Sequence, residues 1–334
     1  MILNFVLPLL SILIISNLAV LGARKLKIPT VVILILVGVL FGLPFLEKTL
    51  LGPANKLIFN LGDAGLLCLM FLAGLESSWR LLYKEKKDAA LIAVSAALVP
   101  IGVGYATFCL LGFSPQVSLI LGICMSISAE ATRAKVLMEL KKLKTKLGAA
   151  LIGAGLIDDT IGLSLFILIT YFIKQADTRE ELLVAGSIIS FFVGLVVQRI
   201  FSRENIIIKT AENMFNWLII PFFFVSIGIH FGFESLALSP FILIAVLVIS
   251  VMGKFLGVFI LKPFMDFNWK QLYLTGWAMN SRGALEMAIA LIAFRAQLIP
   301  LNLYSSLVVM AFVTTLMFPF IIVPLIRKNP QVMD

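Results

Sequence analysis

Gly153-Ala154-Gly155-Leu156-Ile157-Asp158-Asp159-Thr160 places two adjacent carboxylates near the middle of a long apolar run. The nearest flanking charges are Lys146 and Lys174. At about 1.5 Å rise per helical residue, the pair lies roughly 18 Å from the basic end. That depth is close to the midplane of a bilayer about 30 Å thick. An ionisable side chain there is costly, and it is kept only where function needs it.

The rest of the chain supports a membrane setting. Of 334 residues, 61% are hydrophobic and only 13% charged, and the mean hydropathy is +1.08. A soluble domain of this size does not have that composition, so the fold class is an all-α polytopic membrane protein. The net charge of +9 sits in short loops between apolar runs. It matches an anionic membrane surface and argues against nucleic acid as a partner. Cys68, Cys109 and Cys124 lie inside apolar runs without metal or disulfide spacing and read as packing residues. His230, the single histidine, borders a loop and reads as an interfacial residue. Met1-Ile2-Leu3-Asn4 lacks the basic start of a signal peptide, so the first apolar run reads as a retained helix, and no soluble domain is expected on either side.

The hydropathy pattern predicts about eleven spans. They cover 2–21, 28–46, 57–75, 89–111, 117–140, 147–173, 182–200, 215–231, 236–261, 272–294 and 303–326. Basic residues follow the odd spans: Arg24, Lys25 and Lys27; Arg80, Lys84, Lys86 and Lys87; Lys141, Lys142, Lys144 and Lys146; Arg199, Arg203 and Lys209; Lys262 and Lys270; Arg327 and Lys328. After even spans they are sparse and partly offset, as Lys174 and Arg179 are by Asp177, Glu180 and Glu181. The positive-inside rule then places the N-terminus outside and the C-terminus in the cytoplasm.

Two spans are interrupted by polar residues. The fifth contains Ser126-Ile127-Ser128-Ala129-Glu130-Ala131-Thr132-Arg133, and the tenth contains Asn280-Ser281-Arg282-Gly283-Ala284-Leu285-Glu286. Irregular backbone at membrane depth is stable only inside protein or beside a water-filled cavity. Transporters place ion sites at such breaks. Arg282 and Glu286 are one helical turn apart and are expected to pair, and Arg282 also suits the dipole ends of half-helices. Lys254 lies about 12 Å along its helix from Lys262. Gly253 and Gly257 beside it mark a close-packed face, so Lys254 is expected inside the protein, facing Asp158 or Asp159.

These positions together resemble the monovalent cation/proton antiporter superfamily, in particular its NapA-like and Kef-like membrane domains with the NhaA fold. The resemblance rests on Phe71-Leu72-Ala73-Gly74-Leu75-Glu76, Lys135-Val136-Leu137-Met138-Glu139-Leu140, Leu156-Ile157-Asp158-Asp159, Pro221-Phe222-Phe223-Phe224-Val225-Ser226-Ile227-Gly228, Lys254, and Ser281-Arg282-Gly283 with Glu286. It implies an inverted-repeat transporter with two crossed broken helices in one membrane transport domain, 1–334. Within it, spans in 1–78 and 182–232 would form the interface part. Spans in 88–174 and 236–327 would form the ion-binding core, which moves against them. A weak internal echo of residues 71–75 in 224–229, and of the fifth span in the tenth, agrees with inverted repeats. Relatives usually have about two more helices, and the shortened stretch lies between the aspartates and Phe222. Glu130 and Arg133 stand where the family has small or hydroxyl residues, and Glu130 is expected either to contribute to the ion site or to pair with Arg133 or Arg282.

The resemblance further implies exchange of Na⁺ (or K⁺) for H⁺ by a homodimer in a prokaryotic inner or cell membrane, in contact with membrane lipid. It implies neither enzymatic activity nor a cofactor. Asp159 would be the principal cation and proton site, with Asp158 beside it. Adjacent carboxylates repel, so the pair would bind protons as a coupled unit. Ser128, Thr132 and freed backbone carbonyls would complete an oxygen shell around the monovalent cation. Lys254, Arg282, Glu286 and Glu130 would compensate or couple charge. Exchange would be electrogenic if Lys254 loses its proton during the cycle and electroneutral if it does not. The alternatives are a Na⁺-coupled symporter on the same fold and a non-transporting membrane sensor or subunit. An intramembrane aspartyl protease is disfavoured, because its two aspartates come from separate helices.

Overall fold

The computed structural model describes residues 3–25, 28–76, 86–173, 178–201 and 205–334. Lys27, Arg80, Lys84, Lys174, Asp177 and Arg203, used above to orient the spans, lie outside the described residues. The described residues are helical or irregular, with no strand among them. Among the described residues, seven helices are long and apolar enough to cross a membrane. The chain is therefore an integral membrane protein, with its backbone polar groups satisfied inside helices as hydrocarbon requires. The chain divides into two compact units, Met1–Ser77 with Asp177–Gly232, and Ser78–Ala176 with Phe233–Asp334.

The first unit contains α1 (Leu3–Lys25), α2 (Thr30–Phe41), the short α3 (Pro44–Leu46), α4 (Asn55–Glu76), α9 (Thr178–Ile200), α10 (Ile206–Met214) and α11 (Ile220–Ile229). Lipid gives no hydrophobic drive between helices, so small residues that admit close backbone approach hold them together. Gly38 of α2 faces the backbone of Val225 and Gly228, and a Cβ on either glycine would overlap the opposite helix. The same holds for Gly74 of α4 and Gly194 of α9. Arg179, at the start of α9, pairs with Asp63 at 2.7 Å and reaches Asn60 Oδ1 at 2.7 Å.

Two sequence expectations change here. The segment expected as 215–231 is part of a longer apolar helical stretch, Ile206–Ile229. A π-helical turn, Phe215–Ile219, joins its halves. Pro221 lacks an N–H, so it cannot donate to the carbonyl four residues earlier. That carbonyl, on Trp217, accepts a hydrogen bond from Asn17 Nδ2 at 3.1 Å instead. The expected span 28–46 also shortens, with α2 ending at Phe41. His230 is partly buried, its ring 4.6 Å from that of Phe59 and its Nδ1 2.8 Å from the Ser226 carbonyl.

The second unit contains α5 (Lys86–Leu110), α6 (Pro115–Cys124), α7 (Glu130–Glu139), α8 (Lys146–Ile173), the short α12 (Phe233–Leu238), α13 (Pro240–Phe259), α14 (Trp269–Met279), α15 (Ala284–Arg295) and α16 (Leu301–Lys328). Ala89, Ile92 and Ala96 of α5 pack with Leu151 and Ala154 of α8, Val258 of α13 and Phe318 of α16 in an apolar core. Gly253 of α13 lies against Pro100 of α5, and Gly257 against the Ser95 backbone. That contact turns the intervening Lys254 inward, where it is fully buried.

Both polar interruptions are real breaks. α6 ends at Cys124 and α7 begins at Glu130; α14 ends at Met279 and α15 begins at Ala284. The two linkers hydrogen-bond to each other. The Ala129 amide donates to the Ser281 carbonyl at 2.8 Å, and Ser281 Oγ donates to the Ala129 carbonyl at 3.0 Å. Each broken helix thus satisfies backbone groups that the other leaves open.

Candidate functional site

The aspartate pair lies on α8 opposite the α6–α7 linker. Asp158 is only 1% exposed, and its Oδ2 accepts the Ser128 amide at 2.9 Å. Its Oδ1 has no hydrogen-bond partner among the described residues. Helical geometry turns the neighbouring Asp159 about 100° away. Asp159 is partly buried, and its carboxyl lies within hydrogen-bonding reach of Glu130. The two carboxylates are adjacent in sequence but have different partners.

Lys254 reaches the same linker from α13. Its Nζ donates to the Ser126 carbonyl and, at 2.8 Å, to Ser128 Oγ. No direct Lys254–Asp158 ion pair forms among the described residues. The two meet through Ser128, whose amide serves the acid while its hydroxyl serves the lysine. Thr132 sits partly buried in the first turn of α7, and none of the hydrogen bonds among the described residues joins its hydroxyl to the aspartates.

The carbonyls freed by the first break are occupied. Arg282 Nη1 donates to the Met125 carbonyl at 2.6 Å and to the Ile127 carbonyl at 2.8 Å. The Arg282 side chain is therefore a cap on the end of α6, where the helix dipole favours a cation. Its pairing with Glu286 is looser, with Nε to Oε2 at 3.8 Å and both side chains fully buried. Neither Glu286 oxygen has a hydrogen-bond donor among the described residues. Glu286 lies in the first turn of α15, where the dipole favours an acid.

Sequence reasoning named Arg133 without foreseeing its burial, and it missed Gly155 and Thr315. Arg133 is fully buried, although it stands two residues from Lys135, which is exposed. Gly155, one turn before Asp159, is the surface on which Glu130 and Arg133 rest. Thr315 of α16 holds the Arg282 backbone, accepting its N–H at 3.3 Å and donating to its carbonyl at 3.2 Å. The glycine was detectable, because Gly153-Ala154-Gly155 is a small-residue patch directly before the acids. Nothing local marks Thr315.

Comparison with known proteins gives a consistent result. The sodium/hydrogen exchanger transmembrane family matches residues 9–202 and 178–328. A Na⁺/H⁺ antiporter of Enterococcus hirae is 24% identical, over 90% of this chain and 92% of that protein. The Na⁺/H⁺-K⁺ antiporter GerN of Bacillus cereus is 22% identical, over 87% of this chain and 88% of that protein. The structure of the sodium proton antiporter MjNhaP1 from Methanocaldococcus jannaschii at pH 8 superposes with a TM-score of 0.65. That match has 16% sequence identity and covers 98% of this chain and 97% of the other.

Proposed function

This chain belongs to the sodium/hydrogen exchanger transmembrane family, and from that premise we propose that it is a secondary antiporter. It exchanges Na⁺ (or K⁺) for H⁺, with cation and proton competing for Asp159 and Asp158. The relatives named above are antiporters of these ions. The observation that carries the reading is the placement of Asp158. A buried carboxylate takes one backbone amide from a broken helix, keeps one oxygen without a donor, and has a buried lysine across a shared serine. A buried polar atom with no partner is costly, so it persists where a ligand is to be received.

In this reading Asp159 binds the cation or the proton, and Asp158 and Ser128 supply further oxygens. Thr132 joins the shell only if the first turn of α7 shifts. Lys254 holds the Ser128 region while the cation is absent and yields when it arrives. Arg282 and Glu286 hold the linker in place and compensate charge. Access alternates between the two sides, with the unit that carries the aspartates as the moving part. The proposal includes about eleven spans, the N-terminus outside, inverted repeats and a homodimer in a prokaryotic cell membrane. The two family-matched segments share residues 178–202. That overlap suits a chain with fewer helices than its relatives between the aspartates and Pro221.

Reconstitution into liposomes with an internal pH dye tests the function. Addition of Na⁺ or K⁺ is expected to drive proton movement, and Asp159→Asn is expected to abolish it. Wild-type protein without cation-dependent proton flux, or equal flux in Asp159→Asn, would reject the assignment.

A further inference from the structure

We propose that Glu130 is an additional oxygen ligand for the transported cation and that Arg133 is a fixed counter-charge beside it, so that this pair sets the cation affinity at Asp159. The proposal rests on the antiporter reading and deepens it, giving a ligand role to Glu130, which the sequence suggests only as a charge-compensating or ion-site residue, and a role to Arg133.

The first turn of α7 presents both side chains. Glu130 is its first helical residue, and Arg133 follows three positions later on the same face. Both converge on Gly155 of α8. A Cβ added there would lie 2.6 Å from Arg133 Nη2 and 2.6 Å from Glu130 Cγ. The glycine is therefore what admits the pair, one turn before Asp159. The Glu130 carboxyl reaches Asp159 itself. Two carboxyl groups at that separation offer the clustered oxygens a hard cation prefers.

Arg133 supplies an independent observation. It is fully buried, yet only its Nη1 is engaged, by the Ala278 carbonyl at 3.5 Å and the Met279 thioether. Its Nε and Nη2 have no hydrogen-bond partner among the described residues. Nη2 is the atom that lies against Gly155, beside Glu130. A buried guanidinium with free donors is stable only next to acids. The groups that act on Asp159 are Glu130, Asp158 and Arg133; those that act on Lys254 are Asp158, Glu286, Arg282 and Arg133.

The test separates KM from kcat for Na⁺-driven proton flux in liposomes. Glu130→Gln removes a ligand and is expected to raise the Na⁺ KM about tenfold or more, as the loss of one charged contact does. Arg133→Gln removes the counter-charge and is expected to lower KM, with the double variant between the two. A residue with a merely structural role would lower the amount of active protein and kcat without moving KM. Single variants whose KM stays within about twofold of wild type would overturn the proposal. If Glu130→Gln does not insert, Glu130→Asp decides. Shortening the acid by one methylene is expected to raise KM, and an unchanged KM overturns the inference. If wild-type protein carries no cation-driven flux, the antiporter reading fails by itself. The pair is then judged by the Na⁺-induced rise in unfolding temperature of purified protein. A rise that is diminished in Glu130→Gln supports it, and an equal rise, or none in wild type, overturns it.

Discussion

At the residue scale, Ser128 is where the two charged elements of the site meet. Its amide and its hydroxyl do different work, and substitutions separate them. Ser128→Ala keeps the amide for Asp158 and removes only the Lys254 contact. Its loss is expected to cost about 1 kcal/mol, a severalfold change in cation KM. Ser128→Pro removes the amide and leaves the buried Asp158 carboxylate without a donor, so cation-dependent flux is expected to disappear. Equal flux from the two variants would show that the amide is not the important contact. Lys254→Gln tests coupling. If the lysine carries charge through the cycle, the dependence of flux on an imposed membrane potential changes in this variant. An unchanged dependence in K⁺/valinomycin-clamped liposomes removes Lys254 from that role.

At the element scale, the second unit depends on how two broken helices close each other. Arg282 caps the end of α6 through Met125 and Ile127 and lies near a buried acid. Arg282→Met leaves those carbonyls open and Glu286 without its cation. The expected loss is about 3–5 kcal/mol, seen as a lower unfolding temperature in detergent. Arg282→Met combined with Glu286→Gln should recover part of it, because the uncompensated buried charge is gone. In the first unit the α2–α11 contact depends on having no side chain at Gly228. Gly228→Leu forces the helices apart, with an expected loss of about 1–3 kcal/mol or failure to insert. A variant as stable as wild type would show that the contact can open without penalty. The polar runs at 126–133 and 280–286 located both breaks in the sequence. The pairing of the two linkers was not legible there, since Ala129 and Ser281 are distant in the chain and neither residue type marks a backbone hydrogen bond. Asn17 was equally silent, because it becomes a partner for Trp217 only when Pro221 frees that carbonyl.

At the scale of the whole molecule, basic residues decide which way the chain faces. Lys144 is exposed just before α8, and Gln116 is exposed at the start of α6. In a protein with Cys68, Cys109 and Cys124 replaced by alanine, Lys144→Cys should react with a membrane-impermeant maleimide only after the cytoplasmic side is opened. Gln116→Cys should react from outside intact cells. The reverse pattern would invert the proposed orientation. The alternation of loop charge makes this prediction from sequence alone.

Composition and pattern suffice for the membrane class, the position of Asp158 and Asp159 within one long apolar helix, the places where helices must break and the inward turn of Lys254. Each follows from a local cost, paid wherever a charge or open backbone meets hydrocarbon, and such costs are written in consecutive residues. Tertiary structure alone decides which acid takes the Ser128 amide and which faces Glu130. It alone turns Arg133 inward onto Gly155 and sends Arg282 to the end of α6 rather than wholly to Glu286. These are choices among several nearby partners of similar chemistry. Their outcome depends on distances between helices far apart in the chain, where a missing Cβ or a shift of one ångström changes the partner.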